Sequence, residues 1–390
     1  AFFSTFPLAD RYVQHPPPQL SDFQASGYVD SSGNVTPAVY VAWYVGDYDS
    51  AAWLNRNFLD NWDDPARGSV KLGWALNPQL SARFPLVFDM VMNELAPGDV
   101  VTAGDSGAGY LNPTGLFNRP LSGLPAGGAV WQQHCTAWYQ KFSISFSGFL
   151  INGASGSMTP EAQALYQPFS WDGMTDQTGY APSPNIPYLS GNTPVFEEMD
   201  VNDGDPATAA QTILSAVQHD GPGVHFHVYR SILKSASWHK AVVDAVTAAN
   251  ANVKFLNAVE LGYLARVSLG GNNDDRVVYV ADTLQASVAV GSSTPFNVTV
   301  RNDGWNTLAT GERHAAASRV TLQWVMGSAS GGAQLAMDMP PTATVVFEAT
   351  LTTPPAPGVY LLAYQLVVGG TDSFDHHGNP ARFANVEVVQ

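Results

Sequence analysis

The chain has 390 residues, 45% hydrophobic and 11% aromatic, which is apolar material for a large core and two domains and excludes a disordered chain. Its 33 acids against 17 basic residues leave a net charge of −16, which repels phosphate backbones and argues against nucleic acid as a partner. No run of about 20 apolar residues offers a membrane insertion segment, and the start, AFFSTFPLADRY, lacks the basic head and apolar stretch of a signal peptide, so it reads as mature or trimmed.

From residue 38 onward, apolar runs rich in Val, Tyr and Phe alternate with segments of helical period. AVYVAWYVGDYDS (38–50) precedes AAWLNRNFLDNW, SVKLGWALNP (69–78) precedes PLVFDMVMNEL, and DVVTAGDSGAGYLNP (99–113) precedes AVWQQHCTAWYQKF. SISFSGFLING (143–153) then precedes PEAQALYQPF, TPVFEEMD (193–200) precedes ATAAQTILSAVQH, and GVHFHVYRSIL (223–233) precedes WHKAVVDAVTAAN. VKFLNAVELGYLAR (253–266) closes the series. Continuous apolar strands between amphipathic helices predict a parallel sheet covered on both faces. Seven or eight such units over residues 1–270 predict an α/β fold, a closed (β/α) TIM-like barrel, rather than a short doubly wound sheet. Residues 168–192, rich in Pro, Gly, Ser and Tyr, read as a long loop over one face.

After SLGGNNDDR the helical period vanishes. Residues 275–390 hold short alternating runs between turn residues, among them TPFNVTVRND and GVYLLAYQLVV, which predict an antiparallel β-sandwich of immunoglobulin-like type. The single cysteine, Cys135, excludes an internal disulfide and reads as a buried small hydrophobe in its helical segment. Low charge content with abundant Gly, Pro and aromatics is the composition of secreted polysaccharide-active proteins. The sequons at Asn34 and Asn297 would accept glycans in a eukaryotic secretory pathway.

In a β/α barrel the substrate groups sit at the carboxyl ends of the strands. Those positions hold Asp47 and Asp49, Asn77, Asp105 with Tyr110, Asn152, Glu197 with Glu198 and Asp200, His227 with Arg230, and Asn257 with Glu260. Each Asp or Asn before a helix is also a ready N-cap, and for Asp60, Asp63 and Asp64 capping suffices. Asp47 and Asp49 need more, because one helix start uses only one of them. In GDSGAGYLNP (104–113) the glycines let the backbone approach a ligand while Asp105 supplies an acid and Tyr110 a ring. Glu197 and Glu198 point opposite ways in an extended strand. His225, Phe226 and His227 alternate, so at most one histidine is expected on the side of Arg230's predecessor, and with no third metal ligand named by the spacing a structural pair of histidines is the plainer reading. DVNDGDPA (200–207) resembles a calcium loop, but its glycine is out of frame and no closing glutamate follows. Trp74, in LGWALNP, is a candidate platform for a sugar ring.

Taken in order, YVGDYDSAAWL, LGWALNP, GDSGAGYLNP and HFHVYR…FLNAVELGYLAR resemble the GxGYxYP putative glycoside hydrolase family over roughly residues 38–266. Two departures stand out: Asn112 replaces the family's second tyrosine, and Tyr48 with Ser50 replace the Gly and Asn of its acidic stretch. The resemblance implies a carbohydrate-active barrel with a glycan substrate. Hydrolysis of a glycosidic bond needs two carboxyl groups, one protonated and one ionised. The expected working pair is Asp49 and Asp105, with Asp47 as modulator and Glu198 or Glu260 as substitutes. Trp74, Asn77, Tyr110, Asn112, His227 and Arg230 would shape the sugar site, and no metal or cofactor is expected. A metal-dependent polysaccharide deacetylase is a rival, although no His-x-x-x-His is present. A non-catalytic glycan-binding or structural surface protein is another, and the oligomeric state is left open.

Overall fold

β1 (Val39–Gly46) is buried along its whole length, as eight consecutive residues without a polar side require of a strand covered on both faces. The computed structural model describes residues 6–104, 106–117, 123–150, 158–176, 186–310, 319–374 and 379–390, with only the backbone of Phe149 and Leu150. The chain divides into two units, Ala1–Asn272 and Asn273–Gln390.

The first unit begins with α1 (Leu20–Ala25) and β1, then α2 (Ala51–Arg56), α3 (Phe58–Trp62), β2 (Gly73–Leu76), α4 (Pro85–Glu94), β3 (Val100–Ala103), α5 (Gly128–Phe142) and β4 (Phe146–Leu150). It continues with α6 (Pro160–Ala164), β5 (Gly173–Asp176), β6 (Tyr188–Ser190), β7 (Thr193–Asp200), α7 (Pro206–Val217), β8 (His225–Ile232), α8 (Ala236–Ala249), β9 (Val253–Leu256) and α9 (Ala258–Ser268). Parallel pairing runs β1–β2–β3–β4–β5–β7–β8 and returns from β8 to β1, so seven strands close a barrel. β9 is a further parallel strand. It takes the first half of β1, Val39 to Ala42, while β2 takes the end of β1 at Tyr44 and Val45. β6 pairs antiparallel with the start of β7.

Side-chain alternation divides the two faces of the ring. Val39, Val41, Trp43 and Val45 pack outward with Leu54, Phe88, Ile213 and Val242 of the helices. Tyr40 points inward, stacked on Phe226 at 5.7 Å, and Phe226, Phe196 and Phe146 continue the contact at 6.5 and 6.1 Å. Phe146 on β4 reaches Phe196 on β7 although β5 lies between those strands, which only the interior of a ring permits. Gly173, at φ 144°, leaves that space: a Cβ there would stand 2.8 Å from both rings.

The stretch 168–192, read from sequence as one irregular loop, instead contributes β5 and β6. Four residues, Gly-Met-Thr-Asp, are too few to display a period, and β6 has three. Residues 177–185 lie outside the described residues. Cys135 is buried in α5, and burial pushes its thiol up to about 12.

The second unit holds β10 (Val277–Asp282), β11 (Ser287–Ala289), β12 (Ser293–Asn302), β13 (Val320–Met326), β14 (Ala329–Gln334), β15 (Thr344–Thr352), β16 (Gly358–Val368), β17 (Asp372–Ser373) and β18 (Arg382–Val389). One sheet runs β10-β12-β15 and the other β11-β18-β16-β13-β14, with β17 on β16. Alternate residues of both enclose one core, including Val298, Phe347, Leu322, Tyr364 and Val386. Hydrogen bonds cross between the sheets from the Leu366 N–H to the Tyr279 hydroxyl at 3.0 Å and from the Tyr364 hydroxyl to Asp282 at 2.7 Å. Among the described residues, no helix is long and apolar enough to cross a membrane.

Candidate functional site

Where β1 ends, the chain turns sharply. Asp47 adopts φ 74°, a left-handed conformation that Asp tolerates better than most residues, and the Ser50 N–H closes the turn on the Asp47 carbonyl at 3.2 Å. Ser50 is the N-cap of α2, and no side chain caps it. Neither Asp47 nor Asp49 is therefore used as a helix cap. Tyr48, between them, goes into the core: its hydroxyl accepts from Asn61 at 2.6 Å and its ring packs on Phe58 and Trp74.

Asp49 is 5% exposed, and burial raises its pKa above the ordinary carboxylate range. A hydrogen bond from the Tyr110 hydroxyl and the positive charge of Arg230 work the other way, while Asp47 adds to the rise. The glycine loop accounts for this geometry. A Cβ on Gly104 would fall 2.7 Å from the Asp49 Cβ and 3.1 Å from the Tyr44 hydroxyl, so only glycine lets the end of β3 approach so closely. Ser106, Gly107 and Gly109 all have positive φ, at 65°, 124° and 121°. Gly107 lies against Cys135 and Trp131 of α5, and the chain then rises to Tyr110, which is 60% exposed while its hydroxyl reaches down to Asp49.

Arg230 organises the other side of the mouth. On β8 it points to the barrel interior, in register with Asp200 of β7 and Tyr44 of β1. Its guanidinium donates to Asp47 at 3.0 Å and to Asp200 at 3.2 Å, and lies 4.0 Å from Glu198. Burial opposes the charge, but Asp200, Glu198, Tyr44 and Asp47 together outweigh it and raise the Arg230 pKa. The Glu198 side chain is only 1% exposed and accepts from the Thr175 hydroxyl at 2.6 Å. Glu198 thus faces the barrel interior and Glu197 the outer side.

Other expected site residues lie elsewhere. Trp74 is fully buried on the outer side of β2, its indole N–H donating to Asp99 at 2.9 Å, so it offers no face to a sugar. Asn77 and Asn112 each cap a 3-10 turn that begins with proline, accepting from Gln79 N–H at 3.1 Å and Thr114 N–H at 2.9 Å. Glu260 forms a capping box with Asn257 at the start of α9 and an ion pair with Lys71 at 2.7 Å. Lys71 precedes β2, and Asn257 bonds to Gly98 just before β3, so Glu260 belongs to the opposite end of the barrel from Asp49. His227 lies on the outer face of β8, stacked on Tyr229 and 2.7 Å from Asp220. It shares that side with His225 and Tyr229, where the sequence reading expected at most one histidine, because residues two apart on a strand take the same face. Asp205 caps α7, accepting from Thr208 N–H at 3.1 Å. Asp105 and Asn152 lie outside the described residues.

Two further residues, one at a strand end and one on a helix, escaped the sequence reading. Asp176 closes β5, and burial, with Glu197 opposite it, pushes its carboxyl up to about 6. Trp53, 37% exposed in the first turn of α2, sets an indole ring four residues after Asp49. Only the boundaries of β5 could have signalled Asp176, and the strand is too short to show them. Among the described residues, no three His, Cys, Asp or Glu side chains are grouped so as to hold a metal ion.

Fold and site together define a parallel α/β barrel with acidic side chains at the carboxyl ends of its strands. Residues 38–169 match the model of the GxGYxYP putative glycoside hydrolase C-terminal domain, a span that includes both the Asp47–Asp49 turn and the glycine loop. A crystal structure described as a putative hydrolase from Bacteroides thetaiotaomicron VPI-5482 is similar at 19% identity and a TM-score of 0.48. That likeness covers 65% of this chain and 50% of the other, so this chain spans about half its length. The CARDB domain of a Pyrococcus furiosus protein, solved with di-metal ions, is similar at 15% identity over 28% of this chain and 84% of that one, with a TM-score of 0.20. No curated protein matches.

Proposed function

We propose that the first unit is a TIM-type glycoside hydrolase acting on a polysaccharide or oligosaccharide outside the cell, with Asp49 as proton donor and Asp105 as its partner. The observation that carries this reading is Asp49 itself: a buried carboxyl held toward its protonated form at a strand end, beneath an exposed tyrosine. Glycosidic bonds break when one acid protonates the leaving oxygen and a second carboxylate acts as nucleophile or activates water. Asp105 follows Gly104, whose backbone is in contact with Asp49, and this supports the pairing. Asp47 acts through Arg230, and Trp53 replaces Trp74 as the ring on which a sugar stacks.

The departures from the family pattern have structural uses, Tyr48 in the core, Ser50 at the start of α2 and Asn112 as the cap of a turn, which favours a working site over a retired one. The parallel pairing of β11 with β18 at the edge of the larger sheet supports an immunoglobulin-like reading of the second unit as an accessory domain. The test is a glycan panel with reducing-end detection on the wild type, Asp49→Asn and Asp105→Asn. Turnover by the wild type and loss in both folded variants is the expected result. Turnover retained in either variant overturns the pairing, and retention of a glycan without turnover identifies a binding protein.

A further inference from the structure

The family match includes Tyr110 but gives it no task, and its geometry is unusual for an exposed tyrosine. Its ring stands 60% open to solvent at the mouth, yet its hydroxyl is committed to a carboxyl that is 5% exposed. Positive φ at Ser106, Gly107 and Gly109 brings it there, and the chain before it is held against α5 at Gly107. A loop shaped only to join β3 to α5 has no need of this.

We propose that Tyr110 is the positioning residue of the site: its phenol covers Asp49, donates to it, and stabilises the carboxylate that Asp49 becomes on giving up its proton. The catalytic part of this rests on the proton-donor reading of Asp49. When the proton moves from Asp49 to the departing glycosidic oxygen, the carbon–oxygen bond breaks, the oxygen of the attacking water or of the second carboxylate bonds to the anomeric carbon in its place, and Asp49 is left with a negative charge in a buried position. A phenolic O–H pointing at a carboxylate is a stronger interaction than the same O–H pointing at a neutral acid. Tyr110 thus favours the state that follows proton transfer, without itself exchanging a proton, and a proton from water later restores Asp49.

Other described groups also face Asp49. Asp47 approaches from the same turn and Arg230 from β8, with Glu198 and Asp200 of β7 set around the guanidinium. The Tyr44 hydroxyl lies beside the Gly104 backbone that touches Asp49. Asp47 raises the Asp49 pKa and Arg230 lowers it, so Tyr110 supplies the second lowering influence from outside the Asp49 turn.

The experiment is a carboxyl-carbon NMR titration of the full chain labelled at aspartate, with the Asp49 signal identified by its loss in Asp49→Asn. Wild type is compared with Tyr110→Phe, which keeps the ring and removes only the hydroxyl. The expected result is an upward shift of the Asp49 midpoint in Tyr110→Phe, with a melting temperature close to the wild type's on the acid side of that midpoint and lower than the wild type's above it. If a glycan is turned over, the basic limb of the pH–rate profile shifts upward with it and kcat falls while KM holds. An unmoved Asp49 midpoint overturns the proposal. A shifted midpoint in a protein that turns over no glycan upholds the contact and sinks the glycosidase reading, so the two failures are distinguishable.

Discussion

The Arg230 guanidinium donates to Asp47 at 3.0 Å, tying the turn after β1 to the end of β8. The same group serves Asp200 at 3.2 Å and faces the buried Glu198. Replacing it, as in Arg230→Met, leaves a carboxylate inside the barrel without its cation, and breaking such a pair costs roughly 3 kcal/mol. Denaturant unfolding checks this. An unchanged midpoint would mean that the ion pairs contribute nothing to the barrel's closure.

For Asp49 the direction of the pH effect follows from its burial. Its folded-state pKa lies above the unfolded value, so the folded chain binds the proton more tightly. Stability therefore falls as pH rises through the window from the ordinary carboxylate pKa to the raised one, and the loss is complete above it. Asp49→Asn removes that loss while keeping an acceptor for Tyr110. We expect the variant to melt higher than the wild type at neutral pH and the two to converge on acidification, in thermal scans across that range.

Two glycines are expected to separate folding from function. At Gly148 a Cβ would lie 1.9 Å from the Tyr44 ring, inside the barrel. Gly148→Ala should cost about 1–3 kcal/mol or more by overpacking, and less in a Tyr44→Leu background, a coupling that a double-mutant cycle measures. Gly104→Ala instead pushes on Asp49 itself, and should reduce turnover more than it lowers the melting temperature.

Glu260→Gln keeps a side chain that can close the capping box and loses the Lys71 ion pair. Turnover should be unaffected, with a small drop in melting temperature. Asn257→Ala, which removes the cap, should cost about 1 kcal/mol in equilibrium unfolding. Lost turnover in a well-folded Glu260→Gln would return this residue to the site.

Asp99 accepts both the Trp74 indole N–H at 2.9 Å and the Leu72 N–H at 3.1 Å, and burial pushes its carboxyl up to about 6. In Asp99→Asn the amide presents one acceptor and one donor to these two donors. We expect a loss of about 1–3 kcal/mol, followed by tryptophan fluorescence during urea unfolding.

Much of the barrel was legible because its strands are continuous apolar runs. VYVAWYVG reads as a strand buried on both faces, and β1 is one. β5 was not legible, since four residues carry no period and the residues around it look like loop. At the site, the spacing of Asp47 and Asp49 set one acid apart from capping, because one helix start has room for one cap; in the structure neither caps α2, Asp47 pairs with Arg230 and Asp49 accepts from Tyr110. Trp74 and Glu260 failed for a shared reason: a residue type at a strand end does not reveal which side of the strand it takes, or how far along its neighbours that strand sits. Trp74 falls on the outer parity of β2, and β9 pairs low on β1, carrying Glu260 to the far end.

The sequence by itself determined the local features: alternating strands and helices to residue 266, alternating short strands after 275, the turn residues, and a glycine loop ending in tyrosine. These depend on neighbours a few positions apart, where backbone conformation and side-chain period act directly. Only the tertiary structure decided which carboxylates meet. Asp47 and Arg230 are joined at the barrel mouth by the pairing of β1 with β8, and Asp49 owes its raised pKa to burial, against the lowering effect of the Tyr110 hydroxyl. Burial and long-range pairing are properties of the packed whole, and no short stretch of the chain carries them.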